Sequence, residues 1–481
     1  MTEQIFVTQP NNVFIKLACS QGLSHELSEY FSFMAPNHKH DKRFRNKIWD
    51  GKIRLFNGRS KTLHAGLFNR VKKFAKQYGY EVIDQRNLKN SQEVTDDQIA
   101  IFLKALNLPE DRTPRDYQIT GLKIAARDKR ALLLSPTSSG KSLMIYMLCR
   151  WFNKKTLIIV PTTTLVRQMS EDFVSYNYER PISQILAGAS KEDLEHITVS
   201  TWQSVYTMPP EWLSQFRMII GDEAHGFKAN SLKSIMENAA NAEIRIGTTG
   251  TLDDLKVNEL TLEGLFGEAT KLISTRELMD RGQIADLQIY AYELDYPKDV
   301  KSLARKMKPE YDDEMNFIYE HPKRSRFVYG LVDRLKGNKM VLFKKVSHGK
   351  AMYEYFKAIY PNVHIVYGDI ATDERNDIRA LTELSDDAII VASYKTFGTG
   401  ISIINLSHVV LAAPIKSKIT LIQAIGRALR RGKDKTKAYV HDIGDNLSVG
   451  QYVNHTYRHF VGRLELYAKE QLPFKLLRVQ L

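Results

Sequence analysis

The feature that most constrains this chain is a set of short apolar runs spaced by helical stretches: ALLLS (131–135), TLIIVP (156–161), ITVST (197–201), MIIGDE (218–223) and IRIGTTG (244–250). Each run ends on small or polar residues. Strands alternating with helices build a parallel, doubly wound sheet, and such sheets carry function at the carboxyl ends of their strands. A second series follows in KMVLFK (339–344), VHIVYG (363–368), AIIVAS (388–393), HVVLAA (408–413) and AYVHDI (438–443). The chain therefore reads as two tandem α/β domains, joined near 280–295. Ahead of them, residues 1 to about 95 mix apolar runs (VFIKLA, KIRLF, YEVI) with the helical pattern FNRVKKFAKQYG, which fits a small α/β domain. The expected spans are 1–95, 96–285 and 286–481, with a connecting helix over 92–106. The stretch 451–471 has helical spacing and is expected to pack on the second α/β domain.

Composition excludes several classes. At roughly 150 residues per domain, a chain of 481 has room for about three. An apolar content of 43% rules out wholesale disorder, and 26 Gly with 15 Pro rule out a collagen-like chain. Two cysteines, Cys19 and Cys149, cannot build a disulfide framework or a zinc cage, and read as buried apolar groups in a reducing compartment. No apolar run approaches the ~20 residues of a membrane span, and the start MTEQIFVTQPNN lacks the character of a signal peptide. A cytoplasmic protein without membrane contact is expected.

Charge points to a partner. Lys and Arg total 69 against 55 Asp and Glu, a net +14. The 38 residues from Lys39 to Lys76 hold 13 basic and two acidic side chains, so they carry most of the excess. Such a block attracts a polyanion by counterion release, and like charges at this density repel one another without a partner. Lys42, Arg43, Arg45, Lys47, Lys52 and Arg54 are the candidate nucleic-acid contacts. The interleaved Phe44, Trp49, Phe56, Phe68 and Phe74 are read as core, with stacking on bases as the alternative.

Three motifs carry chemistry. The first apolar run leads into SPTSSGKS, Ser135 to Ser142. Between a strand and a helix, this sequence makes a phosphate-binding loop from Pro136, Thr137, Ser138, Ser139 and Gly140. Its backbone N–H groups cradle phosphate oxygens, Lys141 neutralises them, and Ser142 can ligate Mg²⁺. Ser135 stands where the pattern usually has its first glycine. MIIGDEAH then places Asp222 and Glu223 at a strand end, which suits one carboxylate to the Mg²⁺ shell and the other to activating water. His225 has no metal-ligand spacing around it and reads as a coupling residue. In QAIGRALRR (423–431), Gln423, Arg427 and Arg430 recur at i, i+4 and i+7, the spacing of one helix face. Arginines aimed at a neighbouring domain's nucleotide can stabilise transition-state charge.

The ordered set of Gln tip, phosphate loop, DEAH, TGT and QxxGRxxR resembles superfamily 2 helicases with two RecA-like domains, over roughly 112–445. Beyond that, RFRNKIWDGKIRLF (43–56), PTSSGKS, PTTTLVRQMSEDFV, WQSV…EWLSQF and KKVSHGKAMYEYF resemble the UvsW-type superfamily 2 DNA helicases of tailed phages nearly end to end. DEAH departs from that family at Ala224, where a cysteine is usual.

The resemblance implies that Arg115 and Gln118 of RDYQ grip adenine. It implies that Thr162, Thr163 and Thr201 hold the nucleic-acid backbone, and that Thr248, Thr249, Gly250 and Thr251 couple hydrolysis to motion. Thr399 and Gly400 would form a turn near the domain interface, Thr399 toward nucleic acid and Gly400 toward the nucleotide. The implied activity is ATP- and Mg²⁺-dependent, 3′-to-5′ unwinding of branched DNA (stalled forks, four-way junctions, R-loops with their RNA–DNA hybrids) in phage recombination, repair and replication. ATP would bind between the two RecA-like domains, whose closing and opening would ratchet a strand. A monomer is expected, with phage recombination proteins as partners. The competing readings are a duplex translocase that never separates strands, an RNA helicase, and a nucleic-acid scaffold with a dead motor.

Overall fold

In the computed structural model the described residues are 3–35, 38–86, 93–186, 192–226, 229–250, 256–307, 310–368, 370, 372–399, 403–430 and 435–481. By mutual packing the chain divides into two compact units, Met1–Ser135 with Gly140–Leu272, and Pro136–Ser139 with Ile273–Leu481. Two tandem parallel-sheet domains preceded by a small α/β domain, as the sequence pattern suggests, are present. Among the described residues no helix is long and apolar enough to cross a membrane.

The first unit opens with β1 (Gln4–Thr8), β2 (Phe14–Ala18), β3 (Ser32–Met34), β4 (Lys52–Arg54), β5 (Thr62–His64) and β6 (Glu81–Asp84). Four of these form a mixed sheet in the order β5-β2-β1-β6, while β3 and β4 make a separate antiparallel ribbon. In β1 only Ile5 and Val7 are buried, the two-residue period of a strand with one solvated face. They join Leu23, Leu27, Phe31, Phe56, Phe68 and Phe74 in one apolar core, so three of the five aromatics in the basic block are indeed core.

An ionic seam ties this small domain to the next layer. Arg70 binds Glu263 at 2.8 Å and Glu259 at 2.7 Å, Lys73 binds Glu268 at 2.5 Å, and His64 Nε2 lies 2.9 Å from Glu237. Gly66 lies so close to the helix Lys256–Phe266 that a Cβ there would sit 2.0 Å from the Glu263 carbonyl oxygen.

That next layer is a parallel sheet of β7 (Arg130–Leu134), β8 (Thr156–Val160), β9 (Ile182–Ile185), β10 (Ile197–Thr201), β11 (Met218–Asp222), β12 (Ile244–Thr249) and β13 (Ala269–Lys271). Its order is β13-β7-β12-β11-β8-β10-β9. The five strand-like runs of the sequence are its centre. The edges β9 (ISQI) and β13 (ATK) are too short and polar to stand out in the pattern. The central strands are buried throughout, as a sheet covered by helices on both faces requires.

The second unit repeats the plan with β14 (Asp286–Asp295), β15 (Lys339–Phe343), β16 (Val363–Val366), β17 (Ile389–Ser393), β18 (His408–Leu411), β19 (Lys437–Asn446) and β20 (Phe474–Gln480). The order is β16-β17-β15-β18-β19-β14-β20, and every pair is parallel. Residues 286–295, part of the expected joint, instead form β14, paired with β19 along its whole length.

Buried ions organise this unit. Arg324 Nε donates to Asp445 Oδ1 at 2.7 Å, and Tyr296 donates to the same oxygen at 2.9 Å. Arg463, on the C-terminal helix His455–Lys469, forks onto Asp442 of β19, so that helix packs on the second sheet as its spacing suggests. Removing one member of such a pair strands the other in low dielectric. Asp445→Ala would leave Arg324, 1% exposed, without its counter-charge. A loss of about 3–5 kcal/mol is expected, read from chemical denaturation of the variant against the parent.

Candidate active site

The sheet order brings the chemistry together. β12 is hydrogen-bonded to β7 on one side and β11 on the other. Ser135 just after β7, whose N–H donates to the Thr249 carbonyl at 3.0 Å, and the carboxylates at the end of β11 therefore flank the end of β12. After Leu134 the chain turns through Ser138 (φ 68°) and Gly140 (φ 79°) and enters the helix Lys141–Phe152. The first N–H groups of a helix have no intrahelical partner and carry partial positive charge, which suits an anion.

Gln118, 3% exposed, braces this turn. Its Nε2 donates to the Gly140 carbonyl at 3.0 Å and its Oε1 accepts from the Arg115 N–H at 2.8 Å. A Cβ at position 140 would meet Gln118 Nε2 at 2.5 Å, so both the left-handed φ and the contact call for glycine. Arg115 itself donates to the Tyr117 hydroxyl at 2.8 Å. Ser139 is buried, Thr137 and Ser142 are half-buried, and Pro136–Ser139 group with the second unit, where Ser138 Oγ donates to the Gly426 carbonyl at 3.2 Å.

Lys141 Nζ lies 3.1 Å from Glu223 Oε1 and donates to the Ser135 carbonyl at 3.5 Å. Asp222 is buried, and Thr248 Oγ1 donates to its Oδ1 at 2.6 Å. Burial, reinforced by the neighbouring Glu223, pushes the Asp222 carboxyl up to about 6, against the opposing pull of Lys141 and Thr248. Glu223 takes a left-handed backbone (φ 50°), rare for a residue with a side chain and frequent where function fixes it. Its second oxygen is 3.5 Å from His225 Nδ1, which also hydrogen-bonds Thr249 Oγ1. Both carboxylates are thus linked to adjacent threonines of β12, Asp222 directly and Glu223 through His225. Gly250 follows directly, and Thr251 lies outside the described residues.

In the second unit the helix carrying Gln423 and Arg427 spans Lys418–Ala428 and stops there. Arg430 lies two residues beyond that end. A contact that the sequence reading missed lies at this helix end: Lys435 Nζ donates to the Ala428 carbonyl, which the helix leaves without an intrahelical donor, and to the Ile404 carbonyl. Lys435 is buried, and burial together with the Arg430 charge pushes its ammonium down to about 8. In sequence it is one more cation in RRGKDK, with nothing to mark it. The Arg427 guanidinium lies 5.5 Å over the Phe397 ring. Thr399 ends the helix Tyr394–Thr399, and Gly400 lies outside the described residues.

Of the expected nucleic-acid contacts, Thr162 caps the helix Thr163–Ser175 by accepting from the Leu165 N–H at 3.4 Å, and Thr163 is exposed. Thr201, 4% exposed, has its hydroxyl 3.0 Å from Ser204 Oγ. In the basic block, Arg43 forks onto Asp41, Lys52 binds Glu29, and Arg54 binds both Asp50 and Glu29. Glu29 and the three glutamates facing Arg70 and Lys73 come from outside the block, so much of its charge is met within the fold, contrary to the expectation from sequence alone. Lys42, Arg45 and Lys47 are exposed and, among the described residues, show no ion pair.

The family described as "Type III restriction enzyme, res subunit" matches residues 111–254, "Helicase conserved C-terminal domain" matches 323–432, and "DNA helicase UvsW, N-terminal" matches 5–84. The ATP-dependent DNA helicase uvsW of Enterobacteria phage T4 is 36% identical over 97% of this chain and 98% of its own length. The crystal structure of T4 UvsW superposes with a TM-score of 0.53 at 34% identity, covering 99% of both chains. A DNA-bound Type ISP restriction-modification enzyme, LlaBIII, shares the fold with a TM-score of 0.59 at 15% identity, over 87% of this chain and 36% of its own.

The raised carboxyl of Asp222 has a consequence for stability. The folded protein holds that proton more tightly than the unfolded chain. The cost of ionising it therefore appears as pH climbs from about 4 to about 6 and is fully present above that. Asp222→Asn should make the nucleotide-free protein more stable at pH 7.5, by on the order of 2 kcal/mol, and leave it unchanged at pH 4. Denaturation curves at the two pH values check this.

Proposed function

The chain belongs to the UvsW family of superfamily 2 helicases and is an ATP-hydrolysing enzyme, and from that premise we propose that its motor works on branched DNA. The substrates are forks, four-way junctions and R-loops, the setting is phage recombination, repair and replication control in the host cytoplasm, and the working form is a monomer. The observation that carries the motor reading is the linked set of Lys141, Glu223, Asp222, Thr248, His225 and Thr249 at the ends of three adjacent strands. The branched-DNA reading leans on the basic front domain, whose exposed Lys42, Arg45 and Lys47 suit the phosphate backbone.

The residues fit a magnesium–nucleotide. A left-handed turn at Gly140 leaves no room for a side chain, a helix begins immediately behind it, and a buried aspartate stands beside a lysine. Ser142 and Asp222 would hold Mg²⁺, which when bound neutralises charge on the phosphate oxygens. Lys141 now neutralises Glu223. On arrival of the phosphates the ammonium turns to them, and Glu223 is released to orient water and take its proton. His225 and Thr249 carry that change to the end of β12, from which Gly250 and Thr251 lead to the moving parts. We assign adenine contact to Arg115 and Gln118, and cationic stabilisation during hydrolysis to Arg427 and Arg430, with Gln423 on the same helix as Arg427.

The test is ATP-dependent strand displacement on a four-way junction, an R-loop and a blunt duplex. Resolution of the branched substrates with the duplex left intact is expected. Lys141→Ala should reduce hydrolysis by at least about 100-fold while leaving DNA binding in place. DNA-stimulated hydrolysis without displaced strands would instead assign the motor to translocation along duplex.

A further inference from the structure

The segment RFRNKIWDGK ends in a rigid apolar point. Ile48 is 75% exposed, whereas the rings of Phe44 and Trp49 on either side of it are half-buried. The Ile48 and Trp49 N–H groups donate to the Arg43 carbonyl at 2.9 and 3.2 Å, and the Lys47 N–H donates to the Phe44 carbonyl at 3.0 Å. Lys47 is held in the left-handed region (φ 57°) to make this turn. Behind the point, the Phe44 ring meets His38 at 4.8 Å, Trp49 Nε1 donates to the Lys52 carbonyl at 2.9 Å, and Arg43 lies over Trp49 at 5.0 Å. Gly51 (φ 78°) lets the chain return beneath them, since a Cβ there would lie 2.8 Å from Met34 Cε. Hydrogen bonds hold the backbone of the turn, and Ile48, the large apolar side chain it exposes most, lies outside the core.

Charge identifies the occupant. Leu384 is more exposed still, at 88%, but stands in sequence beside Glu383, Asp386 and Asp387. Ile48 is surrounded in sequence by Lys42, Arg45 and Lys47, all exposed, and the acids near it are already met, Asp41 by Arg43 and Asp50 by Arg54. We propose that Ile48 is a wedge that packs against the open face of the terminal base pair at a DNA branch point, while Lys42, Arg45 and Lys47 hold the flanking phosphates. The assignment rests on the branched-DNA reading above and supplies its specificity element. In an intact duplex each base pair is stacked on both faces, and inserting an aliphatic side chain must first break that stacking. At a branch one face is already open. The point carries no donor or acceptor to read base edges, so it selects structure and not sequence.

The experiment uses the full chain and compares binding to a four-way junction and to a blunt duplex of the same arms, with 2-aminopurine beside the branch. The parent protein should prefer the junction and raise the probe's fluorescence. Ile48→Ser should lose the fluorescence change and about ten-fold of the preference, with duplex affinity and duplex-stimulated hydrolysis within about two-fold of the parent. Ile48→Met, which keeps an apolar point, should restore both. Because Ile48 lies outside the apolar core, these variants fold. An Ile48→Ser protein with preference and fluorescence intact overturns the wedge alone and leaves the point for a protein partner. A parent protein that binds junction and duplex equally overturns the branched-DNA reading itself, and the wedge with it.

Discussion

The hydrogen-bonded ladder β7–β12–β11 is the constraint on which the first unit's chemistry depends. Lys141 and the carboxylates that begin 81 residues on at Asp222 become neighbours because one strand is shared between theirs. Parallel pairing also points all three carboxyl ends the same way, so loop, acids and threonines emerge on one edge. The burial that the sheet imposes on Asp222 raises its carboxyl. The same closeness puts Glu223 within reach of Lys141 and His225.

The second unit meets a different problem with the same means. A sheet that buries Asp442 and Asp445 in its β19 strand must supply counter-charges, and Arg463 and Arg324 arrive from helices on either side of it in sequence. Glu314 does the same for the start of the C-terminal helix, accepting from the His455 and Thr456 N–H groups at 2.9 and 2.7 Å. Arg245 in the first unit is instead met by carbonyls, those of Met236, Ala239 and Ala242. It thereby satisfies the end of the helix Ala229–Asn238, whose last carbonyls have no intrahelical donor.

Much of this was legible in the sequence, for a physical reason. Strands buried on both faces read as continuous apolar runs, and phosphate and Mg²⁺ chemistry admits few residue types at few spacings, so ten strands, the loop and DEAH stand out. The edges β9, β13 and β20 did not, because an edge strand is short or solvated and loses the apolar signature. The extent of β14 was hidden by its alternating pattern, which resembled a joint. Lys435 was invisible because a side chain that meets a helix end is defined by where the chain returns. The basic block looked unpartnered because Glu29, Glu259, Glu263 and Glu268 reach it from elsewhere in the chain. Charge density in sequence overstates charge density in space.

The close approach at Gly66 also bears on how such a protein can be taken apart. The front domain and the first parallel sheet meet through backbone contact and through glutamates that would be left crowded and unmatched on a bare surface. The two pack as one unit, and exchanging the front domain for another would require rewriting the helix Lys256–Phe266 along with it. Truncation would therefore report on damage to the motor's own surface as much as on any DNA contact. Questions about the front domain's role are better put to its exposed side chains one at a time.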